Sequence, residues 1–167
     1  MLIGVVSDTH GHLPLTTAAI DRLLQQSVHH VLHCGDIGST DIVSLFSHWP
    51  AHFVFGNVDW NRTELGEAIE KSGQTCHDCF GSIELAGRRI GLLHGDDERR
   101  LHHEIASGNW DVICTGHTHV AGAQIVNETL LVNPGAVYRS QPPSVAVIDL
   151  DSLQVRTVLL ERVAQTA

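Results

Sequence analysis

The chain has 167 residues, 43% of them hydrophobic and 17% charged, enough apolar material for one domain with a proper core and too little charge excess for a disordered chain. Its 10 Lys and Arg against 19 Asp and Glu leave a formal charge of −9, a field that argues against coating of nucleic acid or binding to anionic membrane surfaces. No apolar run reaches the roughly 20 residues of a membrane span, and residues 1–6 meet Asp8 without a basic start. A cytoplasmic protein is therefore expected, its four cysteines outside any disulfide framework.

Residues 2–6 form a continuous apolar run opening into Ser7-Asp8-Thr9-His10-Gly11, the pattern of a buried strand that delivers polar groups at its C-terminal edge. After Pro14, Ile20, Leu23 and Leu24 recur at helical spacing and predict a helix to about Gln26. A second strand over 30–34 opens into Gly35-Asp36, and Ile42, Leu45, Phe46 and Trp49 predict a helix ended by Pro50. A third strand over 51–55 runs into Gly56-Asn57-Val58-Asp59, followed by a helical stretch through Leu65, Ala68 and Ile69. Beyond Gly81 the texture changes to a hairpin, 82–85 and 88–93 around Ala86-Gly87, which ends at His94-Gly95-Asp96. A helix over 99–106, a strand over 112–115 leading to Gly116-His117-Thr118-His119, and strands over 123–126, 129–132, 144–149 and 155–160 complete the chain. A β-α-β-α first half and a strand-rich second half imply an α/β fold, a four-layer α-β-β-α sandwich of two facing mixed sheets with helices outside, as a single domain over 1–167.

Five strand ends carry metal-capable groups: Asp8 with His10, Asp36, Asn57, His94, and His117 with His119. Singly, each reads more readily as a turn former or a satisfied polar group than as a ligand. Together they are explained by one crevice, because loops at the carboxyl ends of such strands converge. Seven groups exceed one tetrahedral zinc and suit two ions sharing a bridge. Imidazoles, carboxylates and an amide oxygen favour Mn²⁺, with Fe, Co, Ni or Zn as alternatives, over Ca²⁺. Two carboxylates and two divalent ions sum to a local charge of about +2, an anion trap suited to a phosphoryl group.

Asp8-x-His10, Gly35-Asp36, Gly56-Asn57-x-Asp59, His94-Gly95 and Gly116-His117-x-His119 resemble the successive motifs of the calcineurin-like metallophosphoesterases. The small size and Asn133-Pro134-Gly135 resemble their single-domain bacterial and archaeal phosphodiesterase branch, and the resemblance runs from Leu2 to about Asp149. It implies that Asp8, His10 and His119 hold one metal, that Asn57, His94 and His117 hold another, and that Asp36 bridges them. It further implies in-line attack of a metal-bridging hydroxide on phosphorus, with Asp36, Asn57 and His94 as the residues closest to catalysis. Two departures stand out. Many relatives carry His directly after the motif Asn, where this chain has Val58 and so lacks a proton donor; Asp96 replaces another frequent His. A non-catalytic assembly scaffold of the same fold, similar to the retromer subunit that resembles these enzymes, and a phosphomonoesterase or nucleotidase remain the alternatives.

His12 flanks the first motif as a candidate substrate contact, and His33 is placed beneath Asp36 as its orienting partner. His29, His30, His48, His52, His77, His102 and His103 read as surface or structural groups. Cys76 and Cys79 read as loop thiols, Cys34 and Cys114 as core residues, and Arg99-Arg100 as a solvated helix face. The expected partner is a small phosphoester, and self-association is compatible with the sequence.

Overall fold

The computed structural model describes residues 1–160; residues 161–167 of the expected domain lie outside the described residues. Strand β1 (Leu2–Val6), helix α1 (Leu13–Leu24), β2 (His30–His33), α2 (Thr40–Ser44), β3 (Ala51–Phe53), α3 (Arg62–Lys71) and β4 (Thr75–Cys76) alternate through the first half. They are followed by β5 (Gly81–Leu85), β6 (Arg88–Leu92), α4 (Glu98–Ser107), β7 (Val112–Cys114), β8 (Gly122–Val126), β9 (Thr129–Asn133), β10 (Ser144–Asp149) and β11 (Gln154–Leu159).

The strands form one sheet in the order β11-β10-β1-β2-β3-β4 and another in the order β5-β6-β7-β9-β8. Both are mixed. Strands β1 to β4 pair in parallel while β10 joins β1 antiparallel, and β6, β7 and β9 are parallel between antiparallel flanks.

Side-chain alternation separates the layers, since successive residues of a strand face opposite sides. Val31, Val145 and Val147 pack under α1 to α3 with Leu23, Phe46 and Ile69. Their neighbours Leu32, Ala146 and Ile148 face the second sheet, where they meet Ile90, Leu92, Val112 and Val132. On the far side of that sheet Ile113 and Leu93 pack with Ile105 of α4. Three apolar interfaces between four layers give the expected sandwich. Gly4 of β1 permits α1 to lie close, because a Cβ there would stand 3.0 Å from the Leu23 side chain.

Two elements differ from the sequence-based expectation. The helix expected through Trp49 ends at Ser44, because the following turns bond carbonyls three residues back (Phe46 to Val43, Trp49 to Phe46) and tighten the chain. Phe46 and Trp49 are buried all the same, which explains the helix-like apolar spacing. The two-residue strand β4 is too short to leave a periodic signal.

Phe53 is fully buried between Phe46 and His33, with ring centroids 5.4 Å from each. Truncation to alanine removes contacts on both sides of its ring, so Phe53→Ala is expected to cost about 3–5 kcal/mol in urea unfolding with an unchanged slope. A cost under about 1 kcal/mol contradicts this packing.

Candidate metal centre

The C-terminal ends of β1, β2, β3, β6 and β7 lie side by side, and their loops are bonded to one another before any ligand is considered. The backbone N–H groups of Asp8, His10 and Gly11 donate to the carbonyls of Gly35, Asp36 and Ile37; Gly116 donates to His94 and Tyr138 to Asp8. Asp8, His10, Asp36, His117 and His119 all have φ between 45° and 65°, a left-handed conformation costing non-glycine residues of order 1 kcal/mol each. Such strain persists only where the surroundings over-determine it.

Inside this frame the groups converge. The Nε2 atom of His119 is 3.1 Å from Asp8 Oδ1, His10 Nε2 is 3.8 Å from both Asp8 Oδ1 and Asp36 Oδ2, and His94 Nε2 is 3.4 Å from Asp36 Oδ2. Asn57 Oδ1 is 3.1 Å from the same His94 nitrogen. Two candidate ligand groups result, Asp8-His10-His119 and Asp8-Asp36-His94, with the ligand atoms of each within 4.8 Å of one another. Asp8, Asp36 and His94 are buried, whereas Asn57 and His117 are exposed, so the centre has a closed floor and an open mouth. His117 stands over His94 with ring centroids 5.2 Å apart, and its backbone N–H donates to Asp8 Oδ2.

The tautomers define the chemistry. His94 Nδ1 donates to the Cys34 carbonyl at 2.8 Å and His119 Nδ1 to the Arg139 carbonyl at 3.3 Å, which directs both Nε2 atoms toward carboxylate oxygens. His10 Nε2 is buried with no hydrogen-bond partner. Burial pushes the His10 pKa down, against the pull of Asp36 and Asp8. Burial also disfavours charge on His94, but the Asp36 hydrogen bond and the nearby carboxylates outweigh it and raise that pKa. Desolvation opposes ionisation of Asp36 too; His94, the Val58 N–H at 3.1 Å and His10 prevail and lower its pKa. A basin of carboxylates, an amide oxygen and imidazole nitrogens, with the buried His10 nitrogen unpartnered, fits divalent transition-metal ions.

Two glycines are required by close approach. A Cβ at Gly56 would lie 2.0 Å from Asp36 Oδ1, and one at Gly116 would lie 1.8 Å from Ser7 Oγ and 2.8 Å from Asp8 Oδ2.

Some residues take roles the sequence did not disclose. Asp59 is buried and accepts from the N–H groups of Ile37, Gly38 and Gly56, which locks two ligand loops together. Its place in Gly56-Asn57-x-Asp59 was the available signal. Asn133 Nδ2 donates to the Gly116 carbonyl at 2.7 Å and to Thr118 Oγ1, bracing the loop of His117 and His119. His33 does not touch the Asp36 carboxylate. Its Nδ1 accepts from the Gly35 N–H and its Nε2 lies 3.1 Å from Thr9 Oγ1, which donates to the Ile37 carbonyl, so it shapes the Asp36 loop through backbone. His12 Nδ1 caps α1 by accepting from the Leu15 N–H, and the ring stacks on Tyr138, whose centroid is 6.4 Å from that of His10. His30, His52 and His77 stack in a row that starts at the opposite end of β2. All four cysteines are free thiols, and Arg100 lies over Phe80 on the outer layer, outside the centre.

The family model of the calcineurin-like phosphoesterase superfamily domain matches residues 1–153. A phosphodiesterase of Methanocaldococcus jannaschii is 32% identical over 166 residues, covering 96% of this chain and all (100%) of that protein. The solved structure of an archaeal phosphodiesterase superposes with a TM-score of 0.89 at 31% identity, covering 96% of this chain and 100% of the other. Vps29 of Entamoeba histolytica, at 19% identity and TM-score 0.64 over 96% of this chain and 100% of its own, shares the fold alone. The chain belongs to the calcineurin-like phosphoesterase superfamily, whose members are metal-dependent. No helix among the described residues is long and apolar enough to cross a membrane.

Gly56→Ala is expected to displace the Asp36 carboxylate and abolish high-affinity metal binding in calorimetric titration while the far-ultraviolet spectrum is retained; binding equal to that of the parent protein contradicts the packing. Burial lowers the His33 pKa to about 3 from its ordinary 6.5. Between those values the unfolded chain takes up a proton that the native chain refuses, so His33 makes stability fall as pH drops from about 6.5 toward 3. In chelator, His33→Asn is expected to flatten the fall in urea midpoint over that window. An equally steep fall contradicts a neutral buried imidazole.

Proposed function

We propose that the chain, as one domain over 1–167, is a phosphodiesterase with a dinuclear centre, in which Asp8, His10 and His119 hold one divalent ion, Asn57, His94 and His117 hold the other, and Asp36 is shared. The observation that carries the proposal is the buried His10 Nε2 between two carboxylates, a position that a cation satisfies and that no protein group among the described residues does. The donor set favours Mn²⁺, with Fe, Co, Ni or Zn able to occupy the same ligands. Diester specificity is supported by the phosphodiesterase from Methanocaldococcus jannaschii. Four free thiols support a reducing, cytoplasmic setting.

When bound, the ions would supply Lewis acidity toward phosphoryl oxygens and a lowered pKa for water. The chain itself supplies position. The Val58 N–H holds Asp36, the His117 N–H holds Asp8, and the Cys34 carbonyl fixes the ring of His94, so the ligands stand in place before substrate arrives. The exposed mouth at Asn57 and His117 admits the substrate, with Tyr138 and His12 along one rim. Val58 presents an aliphatic side chain where the leaving group departs, and it cannot hand over a proton. Esters whose leaving groups are stable anions are therefore the preferred substrates.

With Mn²⁺, the protein is expected to hydrolyse bis(4-nitrophenyl) phosphate, and Asp36→Asn or His94→Gln to lower kcat/KM by at least about 100-fold. Absence of turnover with every divalent ion tested, or retained activity in both variants, overturns the proposal. Val58→His is expected to speed alkyl diesters selectively, by up to about 100-fold, relative to 4-nitrophenyl esters. An unchanged ratio contradicts the missing-acid argument.

A further inference from the structure

A cleft of about 310 Å³ runs beside the centre between segments 38–40 and 58–61, backed by Glu64 and Leu65 of α3. It is joined to the ligands by short connections. The Val58 N–H reaches Asp36 Oδ1, and the Asp59 carboxylate gathers the N–H groups of Ile37, Gly38 and Gly56.

Trp60 lines this cleft and is 88% exposed, the most exposed of the large hydrophobic side chains among the described residues. An indole left in water on a mobile loop is unremarkable; Trp60 stands on a braced one. The Trp60 backbone N–H donates to the Val58 carbonyl at 3.0 Å, and Arg62 donates to the carbonyls of Asp59 and Gly56 while lying over the Phe55 ring. The lining contains no Lys or Arg, and Asp59 and Glu64 make it unfavourable for a second phosphate. Polar groups are nevertheless present: Ser39 precedes α2 without capping it by a side-chain hydrogen bond, and Asn61, whose Nδ2 donates to the Glu64 carboxylate, keeps its amide oxygen as an acceptor. A neutral, planar group with hydrogen-bonding edges matches a flat aromatic platform with hydroxyl and amide neighbours.

We infer that this cleft binds the nucleobase of a nucleoside-containing phosphodiester, stacked on Trp60 while its phosphoryl group lies at the adjacent centre. The inference rests on the phosphodiesterase reading and specifies its substrate class. Base stacking on an aromatic side chain corresponds to roughly 5- to 150-fold in affinity.

The test compares thymidine 5′-(4-nitrophenyl phosphate) with methyl 4-nitrophenyl phosphate, which share a leaving group, on the Mn²⁺-loaded full-length protein. In Trp60→Ala the ratio of kcat/KM for the nucleoside ester to that for the methyl ester is expected to fall about tenfold or more, and in Trp60→Phe to be largely restored. An unchanged ratio in Trp60→Ala overturns the inference. A second readout is independent of turnover: adenosine 5′-monophosphate is expected to quench indole emission saturably in the parent protein and not in Trp60→Phe, where Trp49 and Trp110 still report. If neither ester is hydrolysed by the parent protein, the phosphodiesterase reading fails. The quench then decides the cleft alone, its presence supporting a base site and its absence excluding one.

Discussion

Two carboxylates, Asp8 and Asp36, are buried at the ends of neighbouring parallel strands, and their ion-pair partners are imidazoles. That is the constraint from which the rest of the architecture follows. Unpaired buried charge is costly, and imidazoles directed by their second nitrogen toward carboxylate oxygens present lone pairs to lone pairs. Protons or cations between them relieve that conflict. The orphaned His10 nitrogen and the orientations fixed by the Cys34 and Arg139 carbonyls suit cations, because those nitrogens are turned inward toward the carboxylates. In an acidic chain, cations held here would reverse the local charge and make an anionic ester welcome.

The backbone bears the cost of assembling the centre. Five candidate ligand residues sit at positive φ, and what holds them is lateral hydrogen bonding between loops, with Asp59, Asn133 and the His33-Thr9 pair as braces. None of these braces needs to touch substrate. Packing between the sheets sets the spacing of the strands, and the braces convert that spacing into ligand positions. The same Asp59 that joins the Asp36 and Asn57 loops also lines the cleft beside the centre, next to Trp60 in the chain.

Most of this was legible in the sequence for a specific reason. Buried parallel strands read as apolar runs, and polar residues immediately after each run must lie at one edge; Asp8, Asp36 and His94 follow directly. The layers followed from alternation of chemistry along the strands. What escaped was set by tertiary packing. Trp49 sits at helical spacing yet belongs to a run of tight turns, β4 is too short for a period, and Asp59 gains its role from loops that meet only in the folded chain. His33 was expected beneath Asp36 as its orienting partner, and the route it takes, through Thr9 and backbone, is not written in the separation of the two residues. His12 appears as a helix cap with one ring face on Tyr138, a dual use that residue type alone does not reveal.

The most direct measurement is anomalous diffraction from crystals of the protein soaked in Mn²⁺. Two peaks are predicted, one among Asp8, His10 and His119 and the other among Asn57, His94 and His117, with the Asp36 carboxylate reaching both. A single peak, or none at these residues, contradicts the account.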